Sequence, residues 1–199
     1  MSTTLDIWNM ALGFIGTRTV ASQEERTPEA IQCGLFWDTA RKQALRDYPW
    51  AFAQSRVLLA QKPLPEVWRG VWLFAYALPN ECLKAHKVTI PGCSRERHFE
   101  IVRDTDGTPL LLTNTPQAAL SYTQDVQDVG RFDENFAFLL ARKLAALVAV
   151  PLLKNNSQKV QELEQLYRAA MPPAHDASAS ERNDKPAEDS WLAARSMWA

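Results

Sequence analysis

The sequence predicts a mainly α protein, a helical bundle with a small inserted antiparallel β subdomain and an extended C-terminal arm. Three observations carry that prediction. Between Phe132 and Leu153 the large residues Phe132, Phe136, Leu139, Leu140, Leu144, Leu147 and Val148 recur at spacings of three and four, the helical period. Between 51 and 127, short runs rich in aromatic and β-branched residues alternate with turn formers. From Ala174 to Ser190 the chain offers almost nothing to bury, which cannot offset the entropy of ordering it. The expected division is a bundle of residues 1–50 and 128–171, a β-rich insert of 51–127 and an arm of 172–199.

Taken in order, Thr3 or Thr4 caps a first helix with Leu5, Trp8, Leu12 and Ile15 on one side, and Gly16 is placed to end it in the left-handed conformation. Thr27 followed by Pro28 opens a second helix, whose turns are marked by Ile31, Leu35, Thr39, Lys42 and Leu45 and which Pro49 stops. Gly34 inside it signals either close helix packing or a tolerated defect. Strand candidates follow at 52–60, 71–78, 86–90, 98–102, 109–113 and 119–123, with Asp104-Thr105-Asp106-Gly107 as the clearest hairpin turn. A calcium loop there would need Gly and Glu where Pro109 and Thr115 stand.

The central helix is entered through Asp128-Val129-Gly130, and Pro151 should kink or end it. No residue from Leu144 to Leu153 is charged or polar, which predicts cover by protein on every side. A membrane span is disfavoured, because Arg142 and Lys143 would lie inside it at roughly 2.5 to 3.5 kcal/mol each near a bilayer centre. A last helix from Gln158 to Met171, with Val160, Leu163, Leu166, Tyr167 and Ala170 on one face, should pack antiparallel on its predecessor, and Pro172-Pro173 closes the folded part.

The chain has 199 residues, 46% hydrophobic and 23% charged, with formal net charge -1, values that suit one soluble domain and favour no polyanion partner. Its start lacks the basic and apolar regions of a secretory signal, and three dispersed cysteines argue for a reducing cytosol over a disulfide framework. Cys82, His86, Cys93 and His98 are ligand types close in sequence, but their spacing fits no common zinc pattern, and half-buried thiols with surface imidazoles explain them more simply. No phosphate loop, nucleophile elbow or HExxH helix occurs, and His175 lies in the expected tail without rigid surroundings, so neither catalysis nor a cofactor is expected. Arg41, Lys42 and Arg46 on the second helix and Arg95 with Arg97 on a loop make small basic faces, a weak signal for nucleic acid.

The most informative local feature is a polar tether ending in WLAARSMWA. It is read either as a tail folding back on its own domain or as a docking arm in which Trp191, Leu192, Met197 and Trp198 anchor on a partner and Arg195 makes a rim contact. Trp68, Trp72 and Phe74 are more aromatic surface than one thin sheet can bury, which marks them as a possible ring interface.

ALGFIGTRTVAS, ALRDYPWAFAQSRVLLA (Ala44 to Ala60), YALPNECLK (Tyr76 to Lys84), FDENFAFLLARKLAA (Phe132 to Ala146) and SWLAAR (Ser190 to Arg195) stand in an order that resembles the head-to-tail adaptors of short-tailed bacteriophages, the tail tubular protein A family. Together these motifs span nearly the whole chain; singly each is soft. The resemblance implies a helical bundle with a small β subdomain, assembled in the host cytoplasm into a dodecameric ring below the portal protein in the virion neck. It also implies DNA passing through the channel without specific recognition, a nozzle-like distal tail partner, no membrane, and SWLAAR as the portal-docking portion. The competing classes are a soluble helical interaction module that presents the tryptophan tail to another partner, and a small zinc enzyme using the Cys and His cluster.

Overall fold

The computed structural model describes residues 3–153 and 156–180. Helices α1 (Thr4–Ile15), α2 (Pro28–Asp47), α3 (Glu134–Leu152) and α4 (Ser157–Ser180) enclose in sequence eight strands: β1 (Gln54–Leu58), β2 (Gln61–Lys62), β3 (Phe74–Ala77), β4 (Cys82–Ile90), β5 (Cys93–Arg97), β6 (Phe99–Arg103), β7 (Pro109–Thr113) and β8 (Ala119–Gln124). The strands form two four-stranded antiparallel sheets, in the orders β1-β8-β4-β5 and β2-β3-β7-β6. The protein is therefore mixed α/β, and the expectation of a mainly α bundle with a small β insert is corrected. Two edge strands account for much of the shortfall. β2 is two exposed residues and β5 is the charged CSRER, and neither carries the apolar alternation by which a strand is read.

The chain changes sheet between β1 and β2, β3 and β4, β5 and β6, and β7 and β8. Period two does the rest: along β7, Leu111 faces the core between the sheets while Leu110 and Leu112 face the outer side of the second sheet. Leu111, Tyr76, Val88, Leu120 and Tyr122 fill the core between the sheets. In β4 the register shifts between Cys82 and Lys84 and again between Ala85 and Lys87, so Ala85 and Val88 both reach that core although three residues apart. The predicted hairpin is present. Gly107 N–H donates to the Asp104 carbonyl at 2.9 Å, and Gly107 sits at φ 82.

The helices share one larger core. Thr3 and Asp6 form a capping box on α1, and Gly16 ends it at φ 84. On α2 the small residues Ala30, Cys33, Ala40 and Ala44 turn inward against α3, whose Ala137, Ala141 and Ala145 are also buried. Ile31 and Leu35 therefore point outward, 55% and 66% exposed. Both helices bury small residues, so the buried seam of α2 is largely its small-residue face, joined by Arg41 and Leu45.

α3 packs against α1, α2 and α4 and ends one residue beyond Pro151. It is long and apolar enough to cross a membrane by composition alone, with mean hydropathy 1.6. Half of that stretch is nevertheless buried by the other helices. Its second half is not covered on every side as expected, since Val150 is 60% exposed among the described residues. Arg142 Nη1 donates to the Leu166 carbonyl at 3.1 Å and Lys143 lies over the Tyr167 ring, the pairing of an antiparallel hairpin.

α4 does not stop at Met171. It continues through Pro172 and Pro173 to Ser180, although those prolines leave two carbonyls of the preceding turn without helical donors. Tertiary contacts compensate. Ala174 and Ser178 are buried, Ser178 Oγ accepts from the Ala51 N–H at 2.9 Å, and the His175 ring stacks on Tyr48 at 4.1 Å between centroids.

One polar joint ties helices to sheets. Arg41, 2% exposed, pairs with Asp125 just after β8 and donates to the Val126 carbonyl at 2.8 Å. Beside it, Lys84 Nζ donates to the Arg46 carbonyl at 3.2 Å.

Candidate functional site

The second sheet buries its own aromatic residues. The segment between β2 and β3 folds over its outer face, where Trp72, 7% exposed, packs on Ala75, Leu110 and Leu112 and stacks on His98 at 5.3 Å and 5°. Trp68 is half-buried against the same cluster, and Phe74 is half-buried against the core between the sheets. Trp68, Trp72 and Phe74 therefore do not supply the exposed aromatic surface expected of a ring interface. The same segment instead exposes Val67 at 81%, Val71 at 63% and Leu73 at 67%. Val71 and Leu73 fall within the strand expected at 71–78, but the strand begins only at Phe74, so they lie in the covering segment and are exposed.

The anchors Trp191, Leu192, Arg195, Met197 and Trp198 lie outside the described residues. What the structure places is the helix α4 that leads to them, and along it a groove. It is an open hollow of about 570 Å³ between α3 and α4. Ala146, Leu147 and Val150 form one wall, Val160, Tyr167 and Met171 the other, and His175 stands at one end. Lys143, Arg168, Asp47 and Glu164 rim it with both signs of charge.

Polar chemistry at the His175 end is built by three elements. Tyr167 on α4 donates its hydroxyl to Asp47 Oδ2 at the end of α2, and Lys143 Nζ on α3 lies 4.6 Å from the centre of the Tyr167 ring. Burial, with the Asp47 hydrogen bond and charge, pushes the Tyr167 phenol far above its ordinary range, so it remains a neutral donor. His175 Nε2 is buried without a hydrogen-bond partner among the described residues, and burial lowers its pKa against the opposing pull of Asp47 and Asp176. A clamp between helices is what this arrangement makes, and the rigid setting of His175 corrects its expected place in a loose tail.

The other candidates separate. Cys82 and His86 lie on β4, Cys93 on β5, and His98 is held against Trp72 on the opposite sheet, while His86 Nε2 meets Thr123 Oγ1 at 2.7 Å. Among the described residues no group of three or more His, Cys, Asp or Glu side chains is placed to hold a metal. Burial pushes the Cys33 thiol up to about 12, reinforced by the charge of Glu29, which makes it an inert core residue. The basic face of α2 loses Arg41 to the buried pair with Asp125, and Lys42 leans 3.9 Å from the same carboxylate. Arg95 and Arg97 sit on strand β5, not on a loop.

No family model and no curated protein matches the chain.

Proposed function

We propose that this chain is a structural assembly protein, the head-to-tail adaptor of a short-tailed bacteriophage. Its copies form a dodecameric ring below the portal in the virion neck, extend the DNA channel and offer a platform to the nozzle-like tail component, and no reaction is catalysed. The observation that carries the reading is a pair of exposed apolar surfaces on different elements, Ile31 with Leu35 on α2, and Val67, Val71 and Leu73 over the second sheet. A closed ring uses heterologous contacts, so each copy needs two different faces that complement each other. Apolar residues clustered on a surface mark such contacts.

Residues 191–198 would dock the ring on the portal, with Trp191 and Trp198 as anchors and Arg195 on the rim. Twelve weak arms on one ring act together through effective concentration, which makes the ring hard to dislodge. The test is the mass in solution of the full chain, of Leu35→Glu and of a chain ending at Ser180, each alone and with portal rings. The adaptor reading expects the full chain to join the portal as a ring. Leu35→Glu should remain folded without forming a ring, and the shortened chain should fail to join. A full chain that stays monomeric beside every portal overturns the reading in favour of a soluble interaction module.

A further inference from the structure

Lys143, Ala146, Leu147 and Val150 follow one another along one stripe of α3, half-buried at the first three and 60% exposed at Val150. Its groove continues past Val150 and Val160 into a second hollow of about 390 Å³ at the start of α4. The sequence of α3 asks for apolar cover there, and the described residues supply it only in part. We propose that the cover is the chain's own residues 191–198, with Trp191 and Trp198 seated in the groove until a partner offers a better site.

Reach permits it. His175 lines one end of the groove and stands five residues before Ser180, about 7.5 Å along the helix at 1.5 Å per residue. From His175 back to Ser157 the groove follows α4 for about 27 Å by the same rise. The ten residues 181–190 can extend over roughly 33 to 36 Å, enough to turn back and lay 191–198 along it.

Charge and composition match as well. Lys143 on the rim would suit the acidic pair Glu188-Asp189 that precedes Trp191, beside an Arg168–Glu164 pair already closed at 2.6 Å. Met171 in the wall is an adaptable side chain against which an indole packs well. A tether of this length holds the segment near its own groove at an effective concentration on the order of millimolar, so it outcompetes a second copy at ordinary protein concentrations. This docking is independent of the adaptor reading, and it fails or stands separately. If both hold, a portal must outbid the groove for the same two tryptophans.

Fluorine NMR of the full chain carrying fluorotryptophan tests it, with the resonances of Trp191 and Trp198 identified through W191F and W198F. Both resonances are expected to lie away from the free-indole position and to stay there on hundredfold dilution. Val150→Glu, at a side chain 60% exposed and therefore tolerant of the change, should return both to the free position while the resonances of Trp50 and Trp72 hold still. Free-indole positions in the unmodified chain overturn the proposal, as does a dependence on dilution, which would mean a second copy. So does a response to Phe138→Glu, in the smaller hollow on the other side of α3 and α4, in place of Val150→Glu.

Discussion

Trp50 and Trp72 are both buried, and they live in different kinds of core. Trp50, 0% exposed, donates its indole N–H to the Ala44 carbonyl at 2.9 Å and is ringed by Tyr48, Phe52, Phe136 and His175. Trp72 belongs to the single segment that covers the second sheet, and its indole N–H is buried without a partner among the described residues. The helical region has one continuous core that several elements close together, whereas the sheet region divides its apolar residues into two small clusters on either side of one sheet. Stability in the first is shared, and in the second it is local. Trp50→Ala should accordingly cost about 5 kcal/mol, the upper end for a buried aromatic residue, and shift the whole chemical-denaturation transition. Trp72→Ala should cost nearer 3 kcal/mol, because a thin cluster under a loop can collapse into the space. Hydrogen exchange would check the contrast, with protection lost everywhere for Trp50→Ala and chiefly across β3, β6 and β7 for Trp72→Ala.

Between these regions stands the Arg41–Asp125 pair, and cutting it tests whether they unfold together. Asp125→Ala leaves a guanidinium at 2% exposure with only the exposed Asp38 and the Val126 carbonyl as partners. Removing one member of a buried pair costs about 3 to 5 kcal/mol; the lower end is expected here because Asp125 itself is 15% exposed. A fall in stability with one cooperative transition would show the joint serving both regions. Two separate transitions would show that the pair is what couples them.

The helices were legible in the sequence because capping residues and a strict period leave strong marks. Thr3, Gly16, Thr27 and Pro28 fall where they were expected. The balance of fold class was not legible, since β2 and β5 are edge strands with no apolar face to read and two bulges break the alternation of β4. α4 was cut short at Pro172-Pro173 by local propensity, which the contacts of Ala174, His175 and Ser178 override. At the candidate sites, side-chain type was visible and burial was not. Arg41 looked like a surface charge and Trp72 like surface aromatic area, and both are internal.

Gly34 sharpens the comparison from the stabilising side. An added Cβ there would lie 3.5 Å from the Trp8 ring, ordinary van der Waals contact, so the glycine is a tolerated defect of α2 and not a requirement of close packing. Gly34→Ala is expected to raise stability by about 0.5 to 1 kcal/mol, through the helix preference for alanine and the reduced freedom of the unfolded chain. The thermal midpoint checks it, and a decrease would mean that Trp8 cannot accommodate the methyl group.

The smallest effect expected is at His175, where the helical core meets the C-terminal part of α4. Its folded pKa lies below the ordinary 6.5, burial being the largest cause, with the charges of Asp47 and Asp176 opposing it. On acidification the unfolded chain therefore takes up this proton first, so the residue's contribution turns against folding as pH falls below about 6.5 and levels off once the folded form is protonated too. Protonation also adds a charge to a ring stacked on Tyr48 and edge-on to Trp50. His175→Phe keeps a flat ring in that place and removes the titration. Stability measured from pH 7 down to 5 should fall less steeply in His175→Phe than in the unmodified chain, whereas parallel curves would place the proton linkage of this region elsewhere.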